Sequence, residues 1–265
     1  MLKLLKIEWL KLKNYRTFWI LASLYVISIF GINYIVYRIQ EEIYNEKQAK
    51  GVAEMVMGSR PYEFPIVWQM ASYVSSFLLF FPGLFLIILV TNEYSYKTHR
   101  QNIIDGWSRS QFISVKIALA VIPALFSTLL VFIVATGFGL AGKEPFDTNK
   151  IYYLGYYFIQ ALSYSMVALL FAILFKRGGL AIGVFFLYAV VLENLVGGLM
   201  NHYLNYSGRY LPLESTDNLI PLPLFQQVQK NIIPSANFTA LFIVALIYLV
   251  IYYIVINRKF KTDDL

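Results

Sequence analysis

Cysteine is absent from this chain of 265 residues, and histidine occurs only twice. Without cysteine there is no disulfide, no cysteine-linked lipid and no thiolate metal site. The sequence also lacks an HExxH metal motif and a GxxxxGK[ST] phosphate loop, which zinc proteases and P-loop ATPases require. We therefore expect no catalytic residue, no metal site and no bound cofactor in this chain.

Charge is scarce as well: Asp, Glu, Lys and Arg make up 14% of the residues, while 58% are hydrophobic. Soluble domains carry about 25% charged residues, so this chain lacks the polar surface that would keep a globule in water. A helix needs roughly 20 apolar residues to cross a bilayer. The sequence predicts an all-α polytopic membrane protein, one domain over 1–265, with six spans at 17–38, 66–91, 112–139, 152–175, 180–200 and 237–257.

Basic residues are unevenly distributed around these spans, and their distribution predicts the topology. Lys and Arg concentrate before the first span, between spans two and three, between spans four and five, and after the last span. Basic residues beside a span are retained in the cytoplasm, so both termini are predicted to be cytoplasmic. The net charge of +7 then reflects topology, and no contiguous basic face suited to nucleic acid is found.

Residues 1–16 have the pattern of a helix that lies on the membrane surface. Leu2, Leu5, Trp9 and Leu12 repeat at helical spacing and form one apolar stripe, flanked by lysines. Such a stripe inserts among the lipid headgroups while the lysines face anionic lipid. The alternative is a disordered basic leader.

The polar segment at 92–111 is longer than a connection between two spans requires. Asp105-Gly106 is a turn signal, and Ser108 with Gln111 forms a capping box that would begin the third span. We expect a short cytoplasmic helix, a turn and a helix start. On the outer side, the proline-rich segment at 201–236 is predicted to form short re-entrant helices before the last span.

Two residues in the predicted spans are candidates for a translocation path. Pro82 interrupts the second span, and Glu193 is a carboxylate well inside the fifth. A charge at that depth costs about 2.5–3.5 kcal/mol, so Glu193 should face protein or water. Alternatively, the fifth span ends earlier and Glu193 lies at the outer interface, paired with Arg209.

Two stretches resemble the permeases of ABC type-2 transporters. Residues 8–21 are similar to the elbow helix that leads into the first span of that family. The segment after the second span resembles the family's first cytoplasmic loop, although Trp107 replaces the usual proline. The residues that carry this second resemblance are Glu93, Thr98, Arg100, Ile103, Ile104, Gly106, Ser108, Arg109 and Lys116.

The resemblance implies a function and partners. The 92–111 segment would contain a coupling helix that docks on separate ATP-binding-cassette ATPase subunits, which hold Mg-ATP. Two permease chains, as a homodimer or with a similar partner, would export an amphiphilic substrate across the bacterial cytoplasmic (inner) membrane. The implied ATPase-contact residues are Glu93, Tyr94, Tyr96, Thr98, Arg100, Asp105, Gly106 and Arg109.

Two other classes stay open. A secondary transporter or channel would work without an ATPase, but no inverted repeat of broken helices is evident. A membrane enzyme or assembly factor would carry buried catalytic pairs, and the sequence does not indicate any.

Overall fold

A computed structural model describes residues 2–45, 51, 60–98, 107–224 and 236–262. Within these residues the fold is entirely helical, with no β-strand. The helices are α1 (Leu2–Lys13), α2 (Arg16–Asn45), α3 (Val67–Ser76), α4 (Phe80–Ser95), α5 (Arg109–Ala141), α6 (Tyr152–Phe175), α7 (Gly178–Tyr203), α8 (Glu214–Asp217) and α9 (Phe238–Thr262), with a 3-10 turn at Ser207–Tyr210.

Five of these helices are long and apolar enough to cross a membrane: α2, α5, α6, α7 and α9. The pair α3 and α4 passes the same test together but is bent by 46° at its break, so it brings the total to six if it counts as one span. Their length and composition are those of a multi-pass membrane protein. The last of them extends beyond its predicted end at 257, and α2 continues past 38 to Asn45.

The bend between α3 and α4 has a clear cause in the sequence. Pro82 lies in the first turn of α4, where its missing N–H is tolerated. In a continuous helix its ring would clash with the carbonyl of Leu78, four residues earlier. The chain instead passes through tight turns, in which the Leu78 and Leu79 amides donate to Ser75 and Ser76. The break therefore lies just before the proline.

Helix α6 occupies the centre of the bundle. In the 18-residue stretch of α6 with the highest mean hydropathy, 56% of the residues are buried. The same share is 17–33% in the other candidate spans. Two apolar cores surround it. One contains Trp68, Tyr157 and Leu241, and the other contains Leu86, Phe112 and Phe185. Large apolar side chains cover the outward faces of the peripheral helices, as expected where lipid replaces water as the neighbour.

Helix α7 is continuous to Tyr203, with a π-helical stretch at Leu187–Leu192. Residues 201–203, predicted to belong to the outer segment of short re-entrant helices, are thus part of the last turn of α7. The end of α7 meets the 3-10 turn closely, because a Cβ on Gly208 would collide with the Gly197 carbonyl oxygen. Only glycine permits that approach. Residues 225–235 of the same predicted segment lie outside the described residues.

Candidate functional site

Four charged side chains from three helices meet at one end of the bundle, and we call them the inner charge cluster: Glu8 and Lys11 of α1, Glu93 of α4 and Lys116 of α5. The Lys116 ammonium donates to Glu93 Oε1 at 2.7 Å and to Glu8 Oε2 at 3.0 Å. The Lys11 ammonium donates to Glu8 Oε1 at 2.9 Å and to Glu93 Oε1 at 3.1 Å. Each lysine thus bridges both carboxylates.

The inner charge cluster is buried and electrically balanced. The Glu8 and Lys116 side chains are each 1% exposed, and those of Glu93 and Lys11 are 7% and 35% exposed. Burial alone would raise the pKa of Glu8, but Lys116 and Lys11 outweigh it and hold that pKa below its usual value. Burial likewise opposes the charge on Lys11, yet Glu93 and Glu8 raise its pKa. Two positive and two negative charges therefore stabilise one another.

Local sequence explains how the cluster forms. Glu8 and Lys11 are three residues apart on a helix and so lie on one face. Glu93 is in the last turn of α4, and Lys116 is about two turns into α5. The Asn92 amide adds a further link by donating to the Tyr15 hydroxyl at 3.1 Å. The N-terminal helix is thereby joined to both helices that border the 96–108 segment.

The predicted contact residues before this segment fall into two groups. Glu93 is buried in the cluster, and Tyr94 is half-buried with the Lys176 ammonium 5.6 Å from its ring centre. Lys176 belongs to the turn between α6 and α7, so this contact joins two connections at the same end of the bundle. Tyr96, in contrast, is 77% exposed immediately after α4. Thr98 is half-buried.

Beyond the segment, α5 begins as the sequence predicts. The Ser108 hydroxyl accepts from the Gln111 amide and the Gln111 side chain accepts from the Ser108 amide, so the capping box is confirmed. Arg109 is the first residue of α5. The remaining predicted contact residues, Arg100, Asp105 and Gly106, lie outside the described residues.

Sequence reasoning did not foresee the inner charge cluster. In the sequence, Lys116 belongs to a loop pattern and Glu8 to an elbow motif, and neither pattern indicates a contact between them. The sequence feature that could have indicated the cluster is Lys116 itself, which lies a full turn inside the predicted span at 112–139. A charge in that position needs a partner. The identity of the partner was hidden, because Glu8 is 108 residues away in the chain.

An apolar cavity of about 420 Å³ lies beside the inner charge cluster. It brings together four residues that the sequence analysis placed in different roles: Leu5, Trp9 and Leu12 of the predicted surface helix, and Pro82 of the predicted path. Leu12 is buried, while Trp9 is 48% exposed. The stripe on α1 therefore faces the cavity as well as the surroundings of the bundle.

At the other end of the bundle, three carboxylates form the outer acid cluster: Glu193, Glu214 and Asp217. Glu193 is 4% exposed, and its Oε1 accepts from the backbone amides of Leu213 and, at 3.1 Å, Glu214. Glu193 thus caps the short helix α8. Among the described residues, no group of three His, Asp or Glu side chains is arranged to hold a metal ion.

Asp217 anchors α8 to the central helix. The Gln160 amide donates to Asp217 Oδ1 at 2.8 Å, and the Tyr164 hydroxyl donates to Oδ2 at 3.0 Å. Burial, reinforced by the charges of Glu214 and Glu193, raises the pKa of Asp217 from 3.8 to about 7, against the opposing effect of these two hydrogen bonds. Burial and the Glu193 charge also raise the pKa of Glu214. The outer acid cluster can therefore gain a proton near neutral pH.

Comparison with known proteins places these features in a family. Residues 55–265 match the family described as "Protein of unknown function (DUF2705)". The chain belongs to this family. The match includes the outer acid cluster and the Glu93 and Lys116 half of the inner charge cluster, while α1 and α2 precede it. No curated protein matches the chain.

Proposed function

We propose that this protein is the membrane permease subunit of an ATP-binding-cassette exporter for an amphiphilic substrate. In this proposal six spans cross the bacterial cytoplasmic membrane, with both termini in the cytoplasm. The bent pair of α3 and α4 is the second span, α1 is the elbow helix, and the 96–108 segment contains the coupling helix. A second permease chain and two ATPase subunits, which bind Mg-ATP, complete the transporter.

The observation that carries this proposal is the inner charge cluster. A segment that receives force from an ATPase must transmit it to the spans, and several charge-assisted hydrogen bonds between buried groups hold the helices beside it in a fixed geometry. Glu93 precedes the segment, Lys116 follows it, and the Lys116 ammonium donates to both Glu93 and Glu8. A push on the segment would therefore move α4, α5 and α1 together. The large exposed side chain of Tyr96 lies at the edge of the segment, where a partner would dock.

The predicted contact residues then divide by role. Tyr96 and Arg109, which border the segment, are proposed to touch the ATPase. Glu93 is proposed as a positioning residue, because its carboxylate is buried between two lysines. Tyr94 is proposed to hold the neighbouring turn through Lys176.

Co-expression with candidate ATPase subunits tests the proposal. After gentle solubilisation, an ATPase subunit should co-purify and its hydrolysis should rise. Tyr96→Ala and Arg109→Ala should each weaken that association by about tenfold or more, as expected for residues that dominate an interface, while membrane insertion is unchanged. Tyr203→Ala, a 75% exposed tyrosine at the opposite end of the bundle, is the matched control. The proposal fails if no ATPase subunit binds, or if both variants couple normally.

The outer acid cluster favours a second candidate, a secondary transporter driven by protons. Buried carboxylates within an apolar bundle are typical of proton relays, and Asp217 and Glu193 both lie between helices. Under this alternative, the protein alone in liposomes would move a solute in response to a pH gradient. Asp217→Asn or Glu193→Gln would abolish that movement, whereas unchanged transport by both variants would remove the cluster from any path.

A further inference from the structure

The apolar cavity has the dimensions and lining of a binding site. Its volume of about 420 Å³ is within the range of roughly 300–1,000 Å³ that ligand pockets occupy. Four helices form it: α1 at one end, α2 along one side, and α4 and α5 around the remainder. The α2 wall runs from Phe18 to Tyr25, about 10 Å along the helix axis. The cavity is therefore elongated along a span.

The interior of the cavity offers nothing to a polar ligand. Tyr25 and Ser127 supply the hydroxyl groups of its lining, and they bond to each other, since the Tyr25 hydroxyl donates to Ser127 Oγ at 2.8 Å. The remaining lining is aliphatic or aromatic. Water in such a cavity would lack the two to four polar partners it needs, whereas hydrocarbon would fit without penalty.

The rim of the cavity is aromatic and basic. Trp9, Phe18 and Trp19 pack edge to face, with ring centres 5.0–6.5 Å apart. The Trp19 indole donates to the Lys13 carbonyl at 3.0 Å, which places Lys13 beside the wall. Lys13 and Arg16 are both exposed. Tryptophan and basic residues together are typical of the headgroup level of a bilayer.

The charge at this rim is not cancelled by its own helix. Glu8 is the single acidic residue of α1, and its carboxylate is buried between Lys11 and Lys116. Lys6 and Lys13 each follow a cavity-lining leucine in the sequence, and Arg16 lies two residues before the lining residue Phe18. All three are exposed, so they add positive charge beside the apolar lining. An occupant that complements both features has a hydrocarbon chain and a negative headgroup.

We propose that this cavity binds one acyl chain of an anionic phospholipid from the surrounding bilayer, with the headgroup held beside Lys13 and Arg16. The lipid fills the space between α1 and the spans and fixes the N-terminal helix against the bundle. The site does not depend on an ATPase partner, so it stands or falls separately from the proposed function.

Native mass spectrometry of the purified full-length protein tests the occupant. The protein is titrated in detergent with phosphatidylglycerol and with phosphatidylcholine of identical oleoyl chains. We expect one phosphatidylglycerol per chain to be retained. Lys13→Gln and Arg16→Gln should each lower its affinity by about fivefold, the effect of one basic residue near an anionic surface, and should leave phosphatidylcholine binding unchanged.

A cavity-filling variant with a neighbouring control locates the site. Ala22 lines the cavity, whereas Ser23 is exposed on the next position of α2 and does not line it. Ala22→Phe should abolish the retained lipid and Ser23→Phe should not, with Ala22→Leu as a smaller filling variant if Ala22→Phe fails to fold. Equal retention by the Ala22 and Ser23 variants would overturn the proposal. So would equal affinity for the two headgroups, or displacement of phospholipid by an amphiphile that is itself transported.

Discussion

The two ends of this bundle bury carboxylates in opposite ways. At the inner charge cluster, Glu8 and Glu93 are matched by two lysines, and every bond is between opposite charges. At the outer acid cluster, the donors to Glu193 and Asp217 are neutral: two backbone amides, a glutamine amide and a tyrosine hydroxyl. In the inner charge cluster, lysine ammonium groups neutralise the carboxylates. In the outer acid cluster, a bound proton neutralises them.

The difference indicates what each end is suited to do. The inner charge cluster keeps Glu8 and Lys11 ionised over a wide pH range because, despite burial, the opposite charges beside them lower the pKa of Glu8 and raise that of Lys11. It is suited to a permanent mechanical joint. Carboxylates held by neutral donors change charge when a proton binds, so the contact between α8 and α6 is sensitive to pH.

Removal of the buried lysine should be the most damaging change. Lys116→Met leaves Glu8 and Glu93 with a single, partly exposed lysine between them. Loss of one partner from a buried ion pair costs about 3–5 kcal/mol, because the remaining charge stays desolvated. We expect the thermal unfolding temperature of the detergent-solubilised protein to fall sharply, or the folded protein to be lost from the membrane.

The matched control for this change is Lys143→Met, an exposed lysine outside the cluster, which should unfold as the parent does. Glu93→Gln added to Lys116→Met should recover part of the loss, because it removes one uncompensated charge. If Lys116→Met and Lys143→Met have the same stability, the inner charge cluster does not hold α1, α4 and α5 together.

The outer acid cluster should make stability depend on pH through Asp217. Between the ordinary pKa of 3.8 and the folded value of about 7, the folded protein binds more protons than the unfolded chain. The free energy of unfolding contributed by this group therefore falls as pH rises from 4 to 7 and stays low above that. We expect the parent to unfold at a temperature at least about 2 °C higher at pH 5 than at pH 8. Asp217→Asn should remove that difference, and an unchanged difference in the variant would contradict the assignment.

Glu193 should stabilise the fold as a hydrogen-bond acceptor more than as a charge. Glu193→Ala leaves the Leu213 and Glu214 amides without their acceptor, at a cost of about 1–2 kcal/mol. Glu193→Gln keeps an acceptor oxygen and should unfold within about 0.5 kcal/mol of the parent. Thermal unfolding measures the loss of stability in both variants, and Glu144→Ala serves as an exposed control. Equal losses in the Ala and Gln variants would show that the negative charge itself is required.

Much of the helix pattern could be predicted, since apolar length and capping are local signals. The fourth span, expected at 152–175, coincides with α6, and the Ser108–Gln111 capping box begins α5 as expected. Longer-range features could not be predicted. The bonds from Lys116 to Glu8 and from Gln160 to Asp217 join residues 108 and 57 positions apart, and only tertiary packing chooses such partners. The cavity could not be predicted either, because its lining comes from four helices that only tertiary packing brings together.

Glu193 shows that sequence can place a carboxylate within a helix without predicting what the carboxylate contacts. Hydropathy indicated a carboxylate inside a span, with either a path or a pairing with Arg209 as its explanation. In the structure the chain returns after α7 and places the amides of Leu213 and Glu214 on the carboxylate, a contact that neither explanation names. A backbone donor leaves no trace in side-chain patterns, so sequence reasoning had no signal for it.

Within the inner charge cluster itself, Lys11 should matter far less than Lys116. Both lysines contact the same two carboxylates, but the Lys11 side chain is 35% exposed and that of Lys116 is 1% exposed. Water screens the Lys11 bonds, so Lys11→Gln should cost no more than about 1 kcal/mol. That small loss should shrink further in 0.5 M salt, which reaches exposed charges more readily than buried ones. Thermal unfolding of Lys11→Gln and Lys116→Gln at low and high salt compares the contributions of the two lysines to stability. If the two variants lose equal stability, burial does not determine the strength of this joint, and the contrast between the two ends of the bundle would have to rest on charge balance alone.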